Sequence, residues 1–308
     1  MRRRINLAIA LLLLASLLGG CSAQWAPDSP SPGPGSLTGA PTPLIPPPGT
    51  LEVHFIDVGQ ADSILVRQGD HAMLVDAGNN EDAGTVTGYL TKQGIKQLDV
   101  LVGTHPHEDH IGSLDKVIQS FGIGRVIMPK VTSTTRTFTD VIAAIKAKGL
   151  TITTPLPGTT FNLGDAAVTI LAPNASKYDD LNDYSVVLRV VFGNTSFLLT
   201  GDAEEVSEAE MLRSGRTLRS DVLKVGHHGS DSSTTDEFLA KVGTAYAVIS
   251  VGAGNTYGHP AQTTMQKLKA LGIPVYRTDQ NGTIVAVSDG KAITFNTQPG
   301  DYRYGASQ

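Results

Sequence analysis

Between His105 and His110 the chain reads His-Pro-His-Glu-Asp-His, three histidines and two acidic residues in six positions of a sequence that has only eight histidines. Imidazole and carboxylate are the donors that Zn²⁺ or Mn²⁺ takes when thiolates are lacking. The one cysteine, Cys21, excludes both a site built from several thiolates and a disulfide within the monomer. A loop can turn neighbouring donors to one point, where a helix or a strand would spread them. Three more histidines lie in similar settings: His227 and His228 follow the apolar run Leu223 to Val225, and His259 follows Tyr257-Gly258 at a helix start. A further apolar run, Phe197 to Leu199, ends at Asp202. His54, which alternates within a strand, and His71, which follows a turn, are read as packed or surface side chains.

Such donors must be presented by strand ends. From Leu51 onward short β-branched runs separated by Gly and Asp alternate with helical patterns. Strands are expected at Leu51 to Val58, Ser63 to Val66, Ala72 to Val75, Leu98 to Val102, Arg125 to Met128, Ala167 to Leu171, Ser185 to Val191, Ser196 to Leu199, Val222 to Val225, Tyr246 to Val251, near Val275, and Thr283 to Val287. Helices are expected at Ala83 to Lys92, Leu114 to Phe121, Thr139 to Ala147, Glu204 to Leu212, Thr235 to Lys241 and Ala261 to Leu271. Two β-rich halves, each carrying helices, imply one α/β domain of four layers, an αββα sandwich over residues 51–308.

The 50 residues before it have another composition. Arg2, Arg3 and Arg4, an apolar run from Ile5 to Leu18, and Gly19-Gly20-Cys21 read as a secretory signal ending in a bacterial lipobox over residues 1–21, with Cys21 as the lipidated first residue of the mature protein. A plain cleaved signal or an uncleaved anchor is the alternative. Residues 22–50 hold nine of the chain's 17 prolines and one charge, Asp28, the composition of an extended tether. The expected location is extracytoplasmic, lipid-anchored to the cell membrane. Without residues 1–21 the chain keeps 21 basic against 29 acidic side chains, a net charge of −8, which excludes a broadly basic nucleic-acid binder.

The motif His105-Pro106-His107-Glu108-Asp109-His110 matches the His-x-His-x-Asp-His signature of the metallo-β-lactamase fold superfamily. Phe55 to Gln60, Leu74 to Gly78, Leu199 to Asp202, His227 to Ser230, Asn255 to Pro260 and Thr278 to Gly282, in that order, resemble the hydrolase domain of ComEC-type competence (DNA-uptake) proteins. The resemblance implies one or two divalent metal ions, Zn or Mn. It implies His105 and His107 as ligands of a first metal, Asp109 and His110 as ligands of a second, and Asp202 as the bridge. His227 is the expected remaining ligand, with His228 as alternate, because neighbours on extended backbone face opposite ways. Asp57 and Asp76 are expected to orient ligand imidazoles. Asp109, Asp202, His228 and His259 are the expected catalytic groups, and Lys224, Ser230 and His259 the expected contacts to substrate oxygens. Ser113 and Ala61 stand where the branch has glycine. No histidine between His110 and His227 completes the first site, and Asn182-Asp183-Tyr184-Ser185 lies there instead.

The expected activity is a metal-dependent phosphodiesterase, a nuclease acting on DNA. A cell-wall phosphodiesterase such as a teichoic-acid phosphocholine esterase is the alternative enzyme, and a metal-binding DNA-uptake accessory lipoprotein is the non-enzymatic one.

Overall fold

The computed structural model describes residues 49–305, all within one compact unit, Leu44–Gln308. The expected signal, tether and Cys21 lie outside the described residues.

Two sheets face each other. The first has eight strands in the order Ile293–Phe295, Ile284–Ser288, Leu51–Phe55, Ile64–Gln68, His71–Val75, Gln97–Val102, Gly122–Ile127 and Ile152–Thr153. The second has seven, in the order Val275–Arg277, Tyr246–Ile249, Val222–Lys224, Thr195–Leu199, Val187–Phe192, Ala166–Ala172 and Thr160–Leu163. Alternation along each strand builds the layers, since successive side chains leave opposite faces. Val100, Val102, Phe197, Leu199 and Val248 enter the core between the sheets. Leu74 and Leu101 point outward beneath the helices Ala83–Lys92, Leu114–Ser120 and Arg136–Ala147. Leu198, Leu223 and Ile249 do the same beneath Glu205–Arg213, Asp236–Val242 and Gln262–Ala270. The result is the expected αββα sandwich. Each such fully buried side chain contributes about 1.5–3 kcal/mol.

The expected elements recur with shifted ends. Leu51 to Val58 stops pairing at Phe55, and the strand expected from Ser185 starts at Val187. The helix expected from Thr139 begins a turn earlier, at Arg136, because the Thr135 hydroxyl accepts a 3.3 Å bond from the Phe138 N–H and caps it.

What positions the site is a run of parallel strands in each sheet. His71–Val75, Gln97–Val102 and Gly122–Ile127 are parallel neighbours, as are Thr195–Leu199, Val222–Lys224 and Tyr246–Ile249. Their C-terminal ends collect loops along one edge of each sheet, the place where α/β proteins bind ligands. The two edges are tied together where the Val186 N–H donates to the Thr104 carbonyl, and within the second sheet the His227 N–H donates to the Gly201 carbonyl.

Candidate metal centre

Strand Gln97–Val102 runs into Thr104 and His105, and a one-turn helix, Glu108–Ile111, follows. Gly112 allows that turn to lie against the neighbouring loop, since a Cβ there would sit 2.3 Å from the Asn79 carbonyl carbon. The loop begins at Asp76, a non-glycine residue at φ 60°. Strain of this kind persists where surrounding bonds hold it, and here they are named. The Asp76 carboxylate accepts from the Thr104 N–H at 2.8 Å, the Thr104 hydroxyl at 2.7 Å and His110 Nδ1 at 2.8 Å. With Nδ1–H committed to Asp76, His110 presents its Nε2 lone pair to the site.

His110 Nε2 lies 3.1 Å from Asp202 Oδ2 and 3.6 Å from Asp109 Oδ2. His228 Nε2 lies 3.1 Å from Asp109 Oδ2 and 3.6 Å from Asp202 Oδ2. Its Nδ1 is 2.9 Å from the Ser250 carbonyl, which can only accept, so the proton sits on Nδ1 and Nε2 is again free to ligate. Asp109, His110, Asp202 and His228 thus offer four donor atoms all within 4.8 Å of one another. Two buried atoms of this set, His110 Nε2 and Asp202 Oδ1, have no hydrogen-bond partner. Orphaned polar atoms at such depth are costly unless something binds them, and a divalent cation fits a set of two imidazoles and two carboxylates.

The charges agree. Burial opposes ionisation of Asp202, but His110 and His228 outweigh it and hold the carboxyl well below its usual range. Burial likewise opposes Asp109, which His110 and His228 also hold low. Burial lowers the basicity of His110, yet Asp202, Asp109 and Asp76 together carry it well above its ordinary value. His105 goes the other way: burial, and then His110 beside it, depress its basicity.

His227 and His228 do not lie on extended backbone. Their φ values are 47° and 52°, in a single 3₁₀ turn, so the rule of opposite faces does not govern them. His228 joins the four-donor set, where His227 was expected. The His227 ring turns to Glu204, with Nδ1 2.9 Å from Oε1, and its Nε2 is 3.8 Å from Asp202 Oδ2. The two expected first-site ligands touch each other, His105 Nε2 being 3.0 Å from His107 Nδ1 and 3.9 Å from Asp202 Oδ2. Where a third histidine is lacking, the Ser185 hydroxyl lies 3.3 Å from His105 Nδ1 and accepts from the Asp202 N–H. Asn182 lines the same cleft with a buried, unpartnered Oδ1, whereas Asp183 turns away to accept from the Glu204 and Ser207 N–H groups.

Two expected substrate contacts are corrected. Lys224 is fully buried, its ammonium 3.0 Å from Asp62, because its strand lies inside the sandwich. Ser230 is buried too, its hydroxyl 2.9 Å from that of Ser232, and it does not line the cleft. Asp57 is exposed and accepts from the Gly59 N–H in a turn, far in role from Asp76. His54 is buried against Tyr89 and Glu52, and His71 sits at the surface beside Asp99. The sequence reading missed Asp62, Gln60 and Glu204, which are brought to the site only by long-range folding.

Asp109, Asp202 and His228 line a cleft of about 330 Å³, with Gln60, Tyr257 and His259 on its rim. Residues 56–253 match the family described as the metallo-beta-lactamase superfamily. The chain belongs to that superfamily. As a metallo-β-lactamase-fold chain it is 34% identical over 266 residues to ComE operon protein 3 of Bacillus subtilis (strain 168), covering 80% of this chain and 34% of that protein. It is 32% identical over 230 residues to competence protein ComA of Neisseria gonorrhoeae, covering 74% and 31%. The chain thus spans about a third of the length of these relatives. Among solved structures, the metallo-beta-lactamase fold protein YhfI from Bacillus subtilis shares the fold, with a TM-score of 0.51 at 12% identity over 80% of this chain and 99% of that one. The superfamily and the His/Asp cluster together make this a metal-dependent hydrolase.

Proposed function

We propose that the chain is an extracytoplasmic phosphodiesterase that cleaves nucleic acid, DNA in the first place, held to the membrane through a lipid on Cys21. The observation that carries the reading is the set Asp109, His110, Asp202 and His228, three of which line an open cleft, in a chain similar to competence proteins. When bound there, one or two divalent ions, Zn or Mn, supply Lewis acidity at a phosphoryl oxygen and acidify water.

The protein's own groups do the rest. Asp109 and Asp202, both ionised, hold and orient the nucleophilic water. His259 has its basicity pushed down to about 4, by burial first and then by His228 and His227, so it is neutral at pH 7. Gln60 Oε1 accepts from the Gly252 N–H, which leaves its Nε2 to donate to His259 Nδ1 at 3.4 Å. His259 therefore carries its proton on Nε2 and can donate a neutral hydrogen bond to a non-bridging oxygen.

A substrate panel tests the reading: single- and double-stranded DNA, RNA, bis-p-nitrophenyl phosphate, phosphocholine esters and a β-lactam, each with Zn²⁺, Mn²⁺ and Mg²⁺. Cleavage of DNA is expected. Brisk phosphocholine release without nucleic-acid cleavage would replace it with the cell-wall esterase. For the anchor, Cys21→Ser should abolish detergent partitioning of the mature protein, and unchanged partitioning refutes lipidation.

A further inference from the structure

Tyr257 stands at the mouth of the cleft with 73% of its surface exposed, the highest value among the described large apolar side chains. A singly exposed ring is ordinary at a protein surface, and what sets Tyr257 apart is its place among the residues lining the cleft. Its ring lies nearly parallel to that of His259, at 24° and 5.8 Å between centroids.

The loop that carries it is fixed. Asn255 Oδ1 accepts from the N–H groups of Tyr257 and His259, and Asn255 Nδ2 donates to the Gly252 and His259 carbonyls. Gly252 is pressed against the opposite rim, where a Cβ would lie 2.5 Å from the Gln60 nitrogen. The ring is therefore preorganised, which lowers the entropy lost on stacking.

Charge points the same way. Among the described residues lining the cleft none is a lysine or arginine, and Lys224 is buried beneath it. A phosphodiester strand entering this cleft meets no lysine or arginine side chain, and the flat ring of Tyr257 is the aromatic surface the rim offers to a base. We infer that Tyr257 stacks the nucleobase flanking the reacting phosphodiester of a single-stranded segment, making the ring a specificity element for nucleotide over simple phosphodiesters. The inference rests on the reading of the site as a nucleic-acid phosphodiesterase. A choline headgroup would call for several aromatic rings forming a cage, and Tyr257 is the one Phe, Tyr or Trp among the described residues lining the cleft.

The test compares a short single-stranded DNA oligonucleotide with its counterpart carrying abasic positions around the cleaved bond, in the presence of Mn²⁺. Tyr257→Ala should raise KM for the normal strand about tenfold, the scale of losing one stacked base, while wild type and variant converge on the abasic strand. Tyr257→Phe should keep the wild-type KM, since the ring and not the hydroxyl does the binding. Equal KM for wild type and Tyr257→Ala on the normal strand overturns the stacking role alone, as does a loss in Tyr257→Phe as large as in Tyr257→Ala. Wild type that turns over other phosphodiesters and no nucleic acid overturns both this role and the proposed function.

Discussion

The Lys224 ammonium lies 3.0 Å from the Asp62 carboxylate, and the two side chains are 0% and 1% exposed. Asp62 is also 3.6 Å from His228 Nδ1, and its backbone N–H donates to the carbonyl of Asp109 at 3.1 Å. The pair thus sits directly behind two members of the four-donor set. It neutralises a carboxylate that would otherwise stand unpaired beside Asp76 in the same buried space.

The expected consequence is structural. Lys224→Met takes the lysine partner from a buried carboxyl group, which destabilises by about 3–5 kcal/mol, whereas Lys224→Met with Asp62→Leu recovers much of the loss because a dry pair of similar volume is nearly neutral. Denaturant unfolding of both variants checks this. A single variant of wild-type stability with a raised KM would return Lys224 to the substrate.

Asp202 lies within 3.9 Å of His105, His110, His227 and His228 and joins the two halves of the site. Asp202→Asn keeps volume and removes the charge that all four rings face. Turnover should fall by orders of magnitude, with the circular dichroism spectrum unchanged and less metal retained after dialysis. Retention of more than about a tenth of wild-type kcat, a barrier change below about 1.4 kcal/mol, contradicts a central role.

The His227-His228 pair separates by metal retention. With Nδ1 on the Ser250 carbonyl and Nε2 against Asp109, His228 is placed to ligate, while His227 leans on Glu204. His228→Ala should lose the tightly held ion, and His227→Ala should keep it while losing turnover. Metal content after gel filtration decides, and loss in His227→Ala with retention in His228→Ala reverses the assignment.

The reason this pair could not be ordered from sequence is local: two successive non-glycine residues at positive φ break the alternation on which the reading depended. Asp76 and the His105 to His110 loop were legible because apolar strands run straight into them, and a strand end fixes where its next residues go. Asp62 carried no signal of its own, since nothing nearby shows that Lys224, over 150 positions later, comes to lie against it. The two-residue strand Ile152–Thr153 and the edge strand Thr160–Leu163 were missed for a related reason, being too short or too polar to alternate visibly.

The expected first metal site is the less prepared of the two to hold an ion. His105 and His107 bring one nitrogen each, yet those nitrogens bond to each other at 3.0 Å, and in place of a third histidine the cleft offers the unpartnered Oδ1 of Asn182, an oxygen donor. An ion entering there must break the His105–His107 contact and complete its shell largely with water. Such oxygen-rich coordination suits Mn²⁺ or Mg²⁺ better than a closed zinc site. The set around Asp109, His110, Asp202 and His228 needs no rearrangement of that kind. Mild chelation should therefore strip one ion and leave the other, and activity should recover better with Mn²⁺ than with Zn²⁺. Two zinc ions per chain that both survive dialysis would show that His105 and His107 part readily and that the first site closes without a third imidazole.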